Sequence, residues 1–313
     1  MAMTLVEASK LSTNILQQGI VETIVKDDPI FNRIRFKDVV GNAYTYNRES
    51  TLDGAEFYGV NAAWNPTNGD VTPATAYLRI LGSAGELDNF IVKTRSNIND
   101  VKAEIMTGKA KALRSKFSET FIYGNATTNP LEFDGLHICI ANTTYNTILA
   151  DAGDTQTVAL SCSTYLDRLI DMVKGRKPEG LLMSKGMRRA ITKYLRSVGA
   201  GATADKDEFG MLVERYGGYP IWASDYLLDT ELTSSGAFSA ATGGSTTSIF
   251  ALNFAEKGVE GLQCGPIEVI PWAPVPLSNK EWCQIRWYPS IMMQSLIASA
   301  KVVGIDSDGT VTA

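Results

Sequence analysis

The chain has one histidine, His137, and it stands two residues from Cys139. On a strand the two side chains would face one side, and a cysteine with a histidine base is a known nucleophile pair. Nothing nearby supplies a third group to orient the imidazole, and a short apolar run such as His137–Ile140 fits a buried core strand equally well. The four cysteines, Cys139, Cys162, Cys264 and Cys283, are scattered and lack the spacing of a zinc site or a disulfide framework. Gly199-Ala200-Gly201-Ala202-Thr203 resembles a phosphate loop only in its glycines. It lacks the following lysine, and it succeeds a helix pattern rather than a strand. Asp205, Asp207 and Glu208 fall in the same flexible stretch with no evident partner. No catalytic, cofactor-binding or metal-binding residue emerges, and no cofactor is expected. An enzyme of small α/β type stays as an alternative, resting on His137 and Cys139 alone.

A different chemistry, that of surfaces, is suggested by Phe57, Tyr58, Val60 and Trp64. They stand in a stretch rich in Gly, Asn, Thr and Pro and follow no helical or strand period. Aromatics carried on a polar loop mark an interaction surface or fold back on their own domain. Phe57, Tyr58 and Trp64 are the candidate contact residues, because aromatic anchors dominate interface energetics.

The elements that must position these residues change character along the chain. Thr4-Leu5-Val6-Glu7 is a capping box, and Leu5, Ala8, Leu11, Ile15 and Leu16 continue at helical spacing until Asp27-Asp28-Pro29. Arg33–Phe36, Ala43–Asn47 and Tyr77–Ile80 alternate like strands. The spacing then predicts a long helix over 98–123, stopped by Gly124-Asn125 and about 37 Å long. Arg95, Lys102, Lys109 and Lys116 recur on it every seven residues, a stripe open to local ion pairs, to an acidic partner or to DNA. Beyond residue 130 the pattern is mixed: a short strand at 137–140, helices at 163–174 and 186–198, a strand at 180–183, and a hairpin about Gly217-Gly218. Residues 199–210 and 230–248 read as exposed loops. Strands follow at 249–254, 267–270, 282–288 and 291–303.

Composition narrows the function classes. The 313 residues are 44% hydrophobic and 20% charged, with a formal net charge of -5. That balance suits a chain with a sizeable core and argues against a protein that coats DNA, though not against one that encloses it. No basic segment followed by an apolar run opens the chain, and no window is long and apolar enough for a membrane span.

With these elements in order, the chain resembles the tailed-bacteriophage major capsid proteins, whose fold is shared with encapsulins. The resemblance is carried by Leu5–Lys10 through Tyr44–Glu49, by Phe117–Asn125 with Phe133–Leu136, and by the strands from Trp282. It implies an α+β phage major-capsid fold: an N-terminal arm at 1–40, an extended β-hairpin loop at 41–80, and a peripheral domain with a long spine helix at 81–130. An inserted axial α/β domain at 131–270 follows, with C-terminal strands at 271–313 completing the peripheral domain. It implies self-assembly through pentamers and hexamers into an icosahedral shell. The partners would be other copies of the chain, enclosed double-stranded DNA without sequence specificity, and possible scaffolding, portal and decoration proteins, with no membrane. The place would be the virion, assembled in the host bacterial cytoplasm. An encapsulin-type shell and a minor or decoration component of the virion remain as alternatives. Some relatives weld their shells through a lysine of the extended loop, but no lysine lies between Lys37 and Lys93 here. The arm begins almost at Met1, so a separate scaffold, or one already removed, is expected.

Overall fold

A computed structural model describes residues 30–31, 33–51, 54–64, 69–89, 98–140, 146–149, 158–175, 177–197, 204–206, 212–234, 237–242, 246–255 and 257–306. The helix expected near the N-terminus and the glycine-rich 199–203 lie outside the described residues.

Helix α1, Ile98–Tyr123, occupies the span its periodicity predicts. Met106, Ala110, Leu113, Phe117 and Phe121 form its buried stripe at spacings of three and four. It lies across a three-stranded sheet in which β4 (Leu81–Asp88) and β14 (Glu268–Pro274) flank β15 (Lys280–Trp287). The approach is close: a Cβ on Gly85 of β4 would come within 3.0 Å of Ile105 and 3.2 Å of the Cys283 sulfur, so any larger residue would push those side chains aside. Phe31, Phe36, Phe117 and Trp287 form one aromatic cluster, with Phe117 centred 4.7 Å from both Phe31 and Trp287. Segments far apart in sequence are thereby pinned together, each ring pair adding about 0.5–1.5 kcal/mol beyond its buried area.

Among the described residues the largest sheet has nine strands. Its main path runs β11 (Ala237–Thr242), β10 (Glu231–Ser234), β12 (Thr246–Leu252), β6 (Gly180–Ser184), β9 (Tyr219–Ser224), β8 (Leu212–Tyr216) and β7 (Ala204–Lys206). Strand β17 (Ala300–Asp306) pairs antiparallel with β12 and parallel with β5 (Thr147–Leu149). The sheet is a wall with a core on each face, as the two-residue period of a strand allows. Leu181, Met183, Ile221, Ile249, Ala251 and Val302 face helices α3 (Val158–Met172) and α4 (Lys185–Ser197). Leu182, Trp222, Phe250 and Leu252 face the other way, into the core that holds the aromatic cluster. The Gly217-Gly218 turn of the β8–β9 hairpin is present, with φ of 58° and 87° as a two-residue hairpin turn requires. A third sheet joins β1 (Phe36–Asp38), β13 (Val259–Gln263) and β16 (Pro289–Met293).

Four expectations are corrected. Residues 137–140 are not a strand: Leu136–Cys139 is a single helical turn, α2, closed by Cys139 N donating to Gly135 O and Ile140 N to Leu136 O. An apolar run this short carries too few residues to reveal its period, and here Gly135 N donates back to Gly124 O and starts the turn at the end of α1. The expected loop at 230–248 carries β10, β11 and the start of β12. Its serines and threonines are absorbed by a ladder, and Glu231, Thr247 and Ser248 are buried. The expected loop at 199–210 contains β7, paired with β8. The single run at 291–303 is two strands, β16 and β17, parted where Ser295 N donates to Lys257 O.

Candidate functional site

The aromatic excursion rides on a two-stranded ribbon. β2 (Ala43–Thr51) pairs antiparallel with β3 (Asp70–Tyr77), from Ala43 opposite Tyr77 out to Thr51 opposite Asp70. Among the described residues the ribbon is anchored at its root, where Tyr44, Tyr46, Ala76 and Leu78 pack on Val39, Leu262 and Met292. Lys37 Nζ donates to Tyr44 Oη at 2.8 Å, and Arg48 donates to the Met293 carbonyl at 2.6 Å. Farther out, β3 is exposed from Asp70 to Pro73, and Pro73 sits where a ribbon edge tolerates the missing N–H. Beyond the ladder, Phe57 and Val60 are fully exposed and Trp64 is 80% exposed. Tyr58 stacks on Trp64 with ring centroids 4.5 Å apart and planes at 18°. Asn61 (φ 67°) and the Ala62 N bond to Gly59 O fix a turn between those two rings. The tip is therefore a shaped apolar surface, with Phe57 the least covered of the three candidate aromatics.

Two lysines of the basic stripe of α1 are answered within their own chain. Lys102 Nζ lies 2.5 Å from Glu281 on β15, and Lys116 pairs with Glu132 at 3.1 Å and Glu119 at 3.4 Å. Burial alone would lower the Lys116 pKa, but the two carboxylates outweigh it and raise it. Arg95 lies outside the described residues.

His137 and Cys139 are near in sequence and serve separate ends. The His137 ring stacks on Tyr123 at 5.4 Å and meets Phe250 edge-on at 4.8 Å, and it is buried. Its Nε2 is 3.7 Å from Glu231 Oε1, and burial lowers its pKa although Glu231 works the other way. Cys139 donates its S–H to the Asp134 carbonyl, and burial pushes the thiol up to about 12, so it supplies no thiolate near neutrality. Cys139, Cys264 and Cys283 are free thiols. Among the described residues no three His, Cys, Asp or Glu side chains cluster to hold an ion, and no helix is long and apolar enough to cross a membrane.

The family model described as the phage capsid family matches residues 11–254. The chain belongs to the phage capsid family. Its fold is that of solved shells. The holo-SrpI encapsulin complex of Synechococcus elongatus PCC 7942 matches with a TM-score of 0.65 at 15% identity, covering 91% of this chain and 89% of that one. The capsid of cyanophage A-1(L) matches at 0.62 and 12% identity, over 88% and 92%. The capsid of the Myoviridae phage XM1 matches at 0.58 and 12% identity, over 88% and 91%. No curated protein sequence matches the chain. As a member of this family it is a structural shell protein and a component of the virion, not an enzyme.

In this capsid-family subunit, sequence reasoning missed the polar joint between α1, α2 and the large sheet. Tyr123 Oη donates to Glu231 Oε1 at 2.6 Å, and Ser248 Oγ to Glu231 Oε2. Leu228 N donates to Tyr123 Oη, and Lys301 Nζ donates to the His137 carbonyl at 2.7 Å. Glu231 and Lys301 are fully buried. Burial lowers Lys301 to about 8, against the pull of the Glu231 carboxylate, and raises Tyr123 well above the usual phenol range. The signal that could have found the joint was Lys301, a lone charge inside an apolar strand, since such a residue is buried only when it has partners.

Proposed function

We propose that this chain is the major capsid subunit of a tailed bacteriophage, assembling through pentamers and hexamers into an icosahedral head around double-stranded DNA. One observation carries the reading: the ribbon of β2 and β3 holds a shaped aromatic tip that the described residues of its own chain leave exposed. Apolar rings kept in water gain about 25 cal/mol for each Å² a neighbour covers, which favours association. In this reading residues 1–40 are the N-terminal arm and 41–80 the loop laid over a neighbour. α1 is the spine of the peripheral domain at 81–130, residues 131–270 form the axial domain, and the strands of 271–313 complete the peripheral domain. Phe57, Tyr58 and Trp64 are the inter-subunit anchors. Several modest heterologous contacts per subunit close into rings, and their number slows dissociation. The net charge of -5 suits a wall that encloses DNA without sequence-specific contact. Free cysteines suit assembly in the reducing cytoplasm of the host bacterium. Scaffolding, portal and decoration proteins are the further partners.

Deleting residues 52–68 leaves soluble subunits that form no closed shells in electron micrographs; normal particles from that deletion would remove the role given to the loop. The fit to an encapsulin supports a second reading, a nanocompartment. The particles of a phage head copurify with DNA, whereas a nanocompartment would carry one protein cargo.

A further inference from the structure

The charges of the excursion are divided by position. Between Arg48 and Arg79 the chain contains no lysine or arginine, but it contains Glu49, Asp53, Glu56 and Asp70. The two arginines that bracket this acidic stretch both line a cavity of about 200 Å³ at the root of the ribbon, between β2, β3, β16 and the segment joining α1 to α2. That is far above the ~10–15 Å³ one water needs, so a side chain fits. Its walls are half apolar, from Phe133, Ile138 and Ile291, and Ile138 is exposed at the surface.

Within the cavity Arg48 donates from one terminal nitrogen to Tyr46 Oη at 3.0 Å and to the Met293 carbonyl, while its buried Nε has no hydrogen-bond partner. Arg79 donates through Nε to the Glu132 carbonyl at 3.2 Å and lies over the Tyr77 ring at 5.7 Å. The one carboxylate on the wall, Asp134, already accepts from Ala126 N at 2.8 Å. Two guanidiniums against one occupied carboxylate make a site for an acidic side chain flanked by apolar surface. The tip of the ribbon presents that combination, with Glu56 exposed beside the fully exposed Phe57. In its own chain the tip does not fill the cavity.

We infer that the root cavity of one subunit receives the tip segment Glu56–Tyr58 of a second copy, with Glu56 set between Arg48 and Arg79 and a tip ring closing over Ile138. This rests on the reading that the chain builds a shell. The contact is heterologous, tip to root, so each subunit can give one tip and accept another, and the pairing propagates around a ring rather than stopping at a dimer. The all-acidic excursion also repels the other tips and is attracted to the roots.

The test is a double cysteine variant, Glu56→Cys with Ala74→Cys, in the full chain. Ala74 lines the cavity and stands opposite Tyr46, on the ribbon face that carries Arg48. Assembled shells oxidised gently should give a ladder of covalent multimers on a non-reducing gel, absent from the Ala74→Cys single variant; a ladder from Glu56→Cys alone, through the native Cys139 on the same wall, supports the same placement. Shells that assemble normally and give no ladder overturn the inference, while the deletion of 52–68 separately decides whether the loop matters at all. If the cysteine pair blocks assembly, charge exchange replaces it. Glu56→Arg and Arg79→Glu should each cut shell yield about tenfold or more, with an unchanged unfolding midpoint of the free subunit. Combining them should restore the yield, and a double variant no better than the worse single one overturns the inference.

Discussion

Strands β3 and β12 are nearly equal in length and meet opposite fates. β12 is buried from Thr247 to Leu252, with alternate residues in two different cores and neighbours along both edges. β3 has one neighbour, and its outer half, Asp70–Pro73, touches solvent. The first strand satisfies its backbone and side chains inside the molecule. The second has only its inner end so satisfied and extends an apolar tip into water. A subunit built to join others needs both kinds: a wall stable by itself, and a limb whose burial is supplied from outside.

The contrast breaks most visibly at the wall. Glu231→Ala removes the acceptor of Tyr123 and Ser248 and leaves buried polar groups uncompensated. The free subunit should lose ~3–5 kcal/mol in urea unfolding. A loss below ~1 kcal/mol would show that the joint is not what ties α1 to the sheet. A smaller effect comes from pH. Lys301 has a folded pKa of about 8 against an ordinary 10.5, so between those values the unfolded chain binds more protons and its contribution makes stability rise with pH. The slope cannot exceed ~1.4 kcal/mol per pH unit. Lys301→Met should flatten the wild-type rise between pH 8 and 9.5, and identical slopes in the two proteins would contradict the assignment. The smallest change in stability belongs to the limb. Phe57→Ala and Trp64→Ala should shift free-subunit unfolding by no more than ~0.5 kcal/mol, yet lower the yield of closed shells. Large destabilisation would mean that the rings are already covered within the chain.

How much could be read in advance follows from the same contrast. Helix α1 shows its period because one stripe is buried and the rest is wet, so its ends at Ile98 and Tyr123 are legible. The Gly217-Gly218 turn is legible because only glycine takes both angles cheaply. The exposure of Phe57 and Trp64 follows from polar surroundings without period. The wall hid itself. Strands buried on both faces do not alternate, so β16 and β17 merged into one apolar run. β10 and β11, Glu-Leu-Thr-Ser and Ala-Phe-Ser-Ala-Ala-Thr, are rich in the Ala, Ser and Thr of loops, and their ladder depends on partners that no local pattern displays. The joint around Glu231 draws its members from β10, β12, β17, α1 and α2, and such a meeting is a property of topology alone.

The pairing of β17 with β5 and β12 also governs timing. Lys301 lies opposite Thr147, about 150 residues earlier, and Val302 lies opposite Ile249. While the ribosome is still making the intervening chain, the edge of β12 and one side of the inner core stand open. Pairs so distant close slowly, because a long loop must be ordered before any contact rewards it. The wall is sealed by the last of the described strands, and a subunit synthesised short of it lacks the rigid base from which its ribbon could be offered to a neighbour.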